Sequence, residues 1–138
     1  MTSKSGVPLE HDEQVAFFTQ VSYEYRNKDD FVPNLLFAVP NGSWFGGNGY
    51  AVYNRMKAEG VRKGVADILY LQPRGKWPYL AIEMKRSDKR NVRNGGLEPE
   101  QIEFMDAVIR AGGRHEICYT AEEALGIFWE YMELPCLR

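Results

Sequence analysis

The chain has 138 residues, 44% hydrophobic and 13% aromatic, which suits one domain with its own core and speaks against disorder as the default. Two cysteines and two histidines, with no CxxC pair, exclude a disulfide scaffold and speak against structural zinc. "MTSKSGVPLEHDEQ" lacks a signal peptide's apolar core, and no run approaches the roughly 18 apolar residues of a membrane span. The expectation is a single soluble, cytoplasmic domain over residues 1–138 with no membrane partner.

The formal charge of −2 conceals an asymmetry. Residues 55–93 carry eleven lysines and arginines against four acids, whereas residues 98–133 carry nine acids against two arginines. A basic middle beside an acidic last third suggests a face suited to a polyanion.

In chain order, Val15, Phe18, Val21 and Tyr25 recur at helical spacing and predict an amphipathic helix from about Glu10 to Arg26. Leu35 to Val39 reads as a short strand closed by the Pro40-Asn41-Gly42 turn. The glycine-rich "GSWFGGNG" lacks the Lys-Ser/Thr ending of a phosphate loop, so no nucleotide cofactor is expected. Tyr50 to Glu59 predicts a short helix that Gly60 ends. Two strands follow around Ala66–Leu71 and Leu80–Lys85, joined by "QPRGKWP", and then a polar loop from Arg86 to Leu97. Pro99 opens a helix with Ile102, Met105, Val108 and Ile109 as its apolar stripe, stopped by Gly112-Gly113. His115–Tyr119 is a further strand, and Thr120 with Glu123 forms a capping-box pattern for a last helix to about Glu133. The order α-β-α-β-β-α-β-α predicts an α/β fold, a mixed sheet flanked by helices.

The hairpin raises a chemical question. Strand side chains alternate faces, so Glu83 and Lys85 share a side. A hairpin centred near Gly75 puts Asp67 opposite Glu83, with Cβ atoms about 4.5–5.5 Å apart, unless a bulge shifts the register. Two carboxylates so placed repel each other, and a divalent cation turns that repulsion into coordination. Lys85 could then contact the phosphate or position the attacking water. The competing reading is a solvated hairpin face, against which stand the apolar neighbours on both strands.

Asp67 followed by Glu83-x-Lys85 resembles the PD-(D/E)XK nuclease superfamily, with Ala66 replacing the usual proline. The blocks "FAVPNGSWFGG", "RMKAEGVRKGVADILYL", "LAIEMKR", "LEPEQIEFMDAVIRAGG" and "EEALGIFWEYM" together resemble the VRR-NUC family, the virus-type replication and repair nuclease domains of phage and bacterial proteins. The resemblance implies a DNA endonuclease using Mg²⁺ or Mn²⁺. Asp67, Glu83 and the Met84 backbone carbonyl would be ligands, and Lys85 the catalytic lysine. Gln101 matches the Q-x-x-[WF] block, with Phe104 completing it, and would join Lys85 as a catalytic residue orienting the nucleophile. An N-terminal helix acid also belongs to the pattern; Glu10 is the better match and Glu13 the rival. Small family members look like homodimers acting on branched DNA such as four-way (Holliday) junctions in replication, repair and recombination. Asn41, Arg62, Lys63, Arg86, Lys89, Arg90 and Arg93 are the candidate DNA contacts. The alternative functions are a non-catalytic nucleic-acid-binding module on a nuclease fold, or a purely structural subunit. Trp44 is the one tryptophan placed to stack on a base, while Trp77, Trp129, His11 and His115 read as structural.

Overall fold

The computed structural model describes residues 6–40 and 49–136. Asn41, Gly42 and Trp44, expected in a turn and a glycine-rich loop, lie outside the described residues. The described elements are α1 (Glu10–Tyr25), β1 (Leu36–Ala38), α2 (Gly49–Ala58), β2 (Ile68–Tyr70), β3 (Leu80–Met84), α3 (Pro99–Arg110), β4 (Arg114–Cys118) and α4 (Ala121–Glu133), with short 3₁₀ turns at Pro33–Leu35, Ser87–Lys89 and Arg93–Gly96. Their order is the expected one.

The strands form one sheet in the order β1-β2-β3-β4. β1 and β3 each run antiparallel to β2, whereas β4 lies parallel to β3. That parallel step needs a crossover, and the Ser87–Lys89 and Arg93–Gly96 turns followed by α3 supply it.

The β2–β3 register is Ile68↔Ile82, Leu69↔Ala81 and Tyr70↔Leu80, the one expected. The turn that produces it differs from expectation. At the tip, Arg74 and Trp77 exchange both backbone hydrogen bonds at 2.9 Å, so the two-residue loop is Gly75-Lys76 rather than a turn centred on Gly75. Gly75 has φ +56°, a conformation that favours glycine. One extra residue on the β2 side, between Tyr70 and Arg74, returns the ladder to the Asp67–Glu83 register, as a bulge does.

Alternation along the hairpin then sorts its residues. Ile68, Tyr70, Leu80, Ile82 and Met84 join Phe17 and Val21 of α1 and Phe128, Tyr131 and Met132 of α4 in the core. Phe128 sits at its centre, with ring centroids 5.2–6.0 Å from Tyr70, Tyr25, Phe17 and Phe31. The α1 stripe is therefore shifted from expectation: Phe17 is buried, whereas Val15 is exposed. The opposite sheet face, carrying Ala81 and Glu83, lies under α3, whose Val108 is buried while Ile109 is exposed. Trp129 is partly exposed and donates its indole N–H to Glu24 at 2.7 Å.

The hairpin tip is also the clasp of the C-terminal segment. Arg74 is 1% exposed. Its Nε donates to Gln72 Oε1 at 2.9 Å, Nη1 to the carbonyls of Met132 and Leu134 at 2.7 and 2.9 Å, and Nη2 to the Asp30 carbonyl and carboxylate at 2.9 and 3.0 Å. All five guanidinium N–H groups thus have acceptors. The buried charge ties the loop after α1, the hairpin and the end of α4 together.

Candidate active site

The β2–β3 ladder ends at Ile68↔Ile82, one step before the carboxylates. Beyond it, Asp67 Oδ2 accepts the Met84 N–H at 2.8 Å, a side chain taking the place of a ladder bond. The Asp67 carbonyl meanwhile accepts Val39 N–H at 2.8 Å on the β1 side. Lys85 N–H bonds the Cys118 carbonyl at 2.9 Å, so by strand alternation the carbonyl of Met84 faces the Asp67 side. Two carboxylates and one backbone carbonyl therefore converge where β2 and β3 part.

Glu83 is 2% exposed and Asp67 8%. Burial, followed by the charge of Asp67, pushes the Glu83 carboxyl up to about 9, although Lys85 opposes the rise. Burial also raises Asp67; the Met84 N–H lowers it, and Glu10 adds to the rise. Glu83 Oε1 accepts Gln101 Nε2 at 2.6 Å and lies 4.0 Å from Lys85 Nζ. Glu83 Oε2 is buried without a donor. With both carboxyls ionised the pair carries an unmet electrostatic cost, which either a proton held between them or a cation removes.

Gln101 is oriented at both ends. Its Oε1 accepts the Glu98 N–H at 2.8 Å, in the capping box that starts α3, while its Nε2 reaches Glu83. One side chain thus closes a helix N-terminus and fixes one oxygen of a buried carboxylate.

The two candidate helix acids occupy different places. Glu10, the first residue of α1, accepts the Arg86 N–H at 3.3 Å, and its charge reaches both Asp67 and Glu83. Glu13 instead accepts the N–H of Ala121, at the start of α4. Glu10 is at the carboxylate site; Glu13 closes a helix end elsewhere.

The cations after β3 also divide. Arg86 makes a forked pair with Asp88 at 2.7 and 2.8 Å. Arg90 pairs with Glu123 and lies 4.6 Å over the Tyr119 ring. Tyr119 Oη in turn donates to the Gly95 carbonyl at 2.9 Å, which pins the loop. Lys89 and Arg93 are exposed, and no ion pair joins either to another described residue. Arg62 and Lys63 are placed elsewhere, on the wall of a cleft between α2 and α3.

Sequence reading passes over Gly64. It has φ +87°, and a Cβ there would lie 2.4 Å from the backbone C and O of Glu100 and 2.9 Å from Gln101 N. The segment leading to Asp67 thus packs backbone against backbone on the first turn of α3. The available signal is a glycine three residues before the strand carboxylate; its partner is not legible. Arg74 escapes notice too, because an arginine in a turn reads as solvated.

A four-stranded mixed sheet flanked by helices is a PD-(D/E)XK-like fold. The VRR-NUC domain model matches residues 21–122, and the chain belongs to that family. A solved structure described as a VRR_NUC domain protein superposes with TM-score 0.71 at 18% identity, covering 94% of this chain and 92% of that one. A search of curated proteins gives no match. The family is a nuclease-type domain, which makes DNA its partner, and domains of this type generally use divalent metals.

The donor set fits such an ion. Among the described residues no three His, Cys, Asp or Glu side chains form a ready cage. Magnesium, however, is commonly held by one or two carboxylates, with water and phosphate oxygens completing the shell. The unmet Glu83 oxygen beside Asp67 is the feature such an ion would satisfy. Among the described residues no helix is long and apolar enough to cross a membrane.

Proposed function

We propose that the protein is a divalent-metal-dependent DNA endonuclease hydrolysing phosphodiester bonds, selective for branched DNA such as four-way junctions and acting as a homodimer in replication, repair or recombination. The observation that carries this reading is the buried Asp67–Glu83 pair, with one Glu83 oxygen fixed by Gln101 and the other unmet. Asp67, Glu83 and the Met84 carbonyl would hold Mg²⁺ or Mn²⁺, with Glu10 at the margin. When bound, such an ion offsets charge on the phosphate and lowers the pKa of water.

The chain's own residues do the rest. Gln101 keeps Glu83 in one rotamer, so the carboxylate requires no rearrangement as substrate arrives. Lys85, 11% exposed at its side chain and 4.0 Å from Glu83, places an ammonium beside the phosphate, where it stabilises charge developing on the oxygens. Lys89 and Arg93 supply exposed cations for flanking phosphates. A two-fold dimer would present two such sites to two symmetry-related strands.

The test is cleavage of labelled four-way-junction, flap and linear duplex DNA with Mg²⁺ or Mn²⁺. Asp67→Ala, Glu83→Ala and Lys85→Ala are run beside the wild type, with folding checked by circular dichroism and mass by light scattering. Metal-dependent cutting lost in all three folded variants is expected. DNA binding without cutting under either metal would shift the reading to a binding module, and preferred cutting of linear duplex would remove the branch selectivity.

A further inference from the structure

Apart from the carboxylate site, the described residues form a concavity of about 730 Å³ between α2 and α3, and its chemistry is mixed in an informative way. Lys57, Arg62 and Lys63 line one wall, Glu100 and Glu103 the other, with Tyr53 and Phe104 as aromatic surface. Opposite charges facing one cleft would ordinarily pair. Here none of the three cations is in an ion pair, with either glutamate or with any other described residue. Lys63 Nζ instead stands 5.1 Å over the Tyr53 ring. The volume lies within the roughly 300–1,000 Å³ of small-ligand sites.

We infer that this cleft is a subsite for one unpaired nucleotide of the DNA, next to the nucleotide being cut; this rests on the nuclease reading above. A duplex passing over the surface would use the cations alone and leave aromatic surface and carboxylates without purpose. An unpaired nucleotide uses all three: its base stacks on an aromatic ring, an exocyclic amine donates to a carboxylate, and its phosphate meets the cations. The position also fits. Val65, on the cleft wall, is two residues before Asp67, and Glu100 immediately precedes Gln101, which holds Glu83. Gly64, between the cleft residues Lys63 and Val65, packs on the backbone of Glu100 and Gln101. A branch point supplies an unpaired nucleotide at low cost, whereas a continuous duplex must first unstack one. The cleft would therefore convert DNA shape into selectivity.

The test uses flap DNA with a single 2-aminopurine at the first, second or third unpaired nucleotide, titrated into the full chain in EDTA so that binding is read without turnover. Total binding is followed by anisotropy. For the wild type, a fluorescence change concentrated at one position is expected. Asp67→Asn should leave it intact. Tyr53→Ser should reduce it at least threefold, and Glu103→Gln, on an exposed helix position that leaves the fold unchanged, should weaken it measurably. A change equal at all positions, or one untouched by both cleft variants, would overturn the subsite. A wild type that cuts the flap with Mg²⁺ but gives no position-specific change would sink the subsite and leave the nuclease. A Tyr53-dependent change without cutting under either metal would sink the nuclease reading and leave the cleft as a binding site for DNA.

Discussion

Gly64→Ala isolates the contact that joins the hairpin to α3. Two effects are expected together. Alanine at φ +87° is strained by about 1–3 kcal/mol, as any L side chain in this region is. In addition, its Cβ would meet Glu100 backbone at 2.4 Å, where ordinary contact begins near 3.4 Å, so the first turn of α3 must retreat by about 1 Å, a step estimated from these spacings. The Gln101–Glu83 hydrogen bond, now 2.6 Å, would then stretch to about 3.6 Å, beyond a useful bond. A 1 Å misplacement in an active site costs on the order of 100-fold in rate. Gly112 is the built-in control: it has φ +88°, and a Cβ added there would meet nothing within 4 Å. Gly112→Ala should lose about 1–3 kcal/mol in urea unfolding from backbone strain alone and keep full kcat on DNA. Gly64→Ala should lose more stability and also kcat, with KM little changed. Equal stability losses and an unchanged kcat in Gly64→Ala would refute the argument that this close approach positions Gln101.

Other consequences can be checked separately. Because the folded state raises the Glu83 carboxyl to about 9, above its unfolded value, folding of the metal-free protein binds a proton. Its stability is full below about pH 4.5 on this account and falls as pH rises towards 9; urea midpoints in EDTA should show the fall, and Glu83→Gln should flatten it. His115 acts at the other end: burial lowers it to about 4, so its contribution is lost as pH drops from about 6.5 towards 4, a loss that His115→Phe should remove. Glu13→Gln should cost about 1 kcal/mol through the α4 N-terminus with activity kept, whereas Glu10→Gln should reduce cleavage with stability unchanged or raised; the reverse pattern would make Glu13 the site acid. Lys89→Ala should reduce the slope of log binding against log salt by about one, while Arg90→Ala should chiefly lower the melting temperature through the loop it pins. Arg74→Met leaves buried carbonyls without donors and should cost at least about 3 kcal/mol.

Much of the fold is legible in the sequence because it is written in neighbours. The apolar runs Ile68–Tyr70 and Leu80–Ile82 give the strands, whereas their register, expected from a hairpin centred at Gly75, is reached because one extra residue offsets a different turn; Pro99 with Gly112 brackets α3. The acid and lysine spacing of Glu83 and Lys85 on one face follows from the period of two. The stripe of α1 is misplaced by periodicity because Val15 and Phe17 are both apolar and only packing against Phe128 selects Phe17. Likewise, the turn between the hairpin strands defeats a local reading, since the extra residue beside Gln72 and Pro73 is held by Arg74, whose partners lie at Asp30 and Met132.

The sequence by itself determined the element order, the face shared by Asp67 and Glu83, the family and the basic middle, because propensity, periodicity and charge are local properties of the chain. Tertiary structure alone decided that Glu10 rather than Glu13 reaches the carboxylates, that Gln101 holds Glu83, that Arg90 serves a loop staple while Lys89 and Arg93 face solvent, and that Arg62 and Lys63 belong to a cleft. Each of these depends on contacts between residues far apart in sequence. Such contacts are fixed by how helices seat on the sheet, through backbone approaches such as Gly64 on Glu100 that no local pattern records.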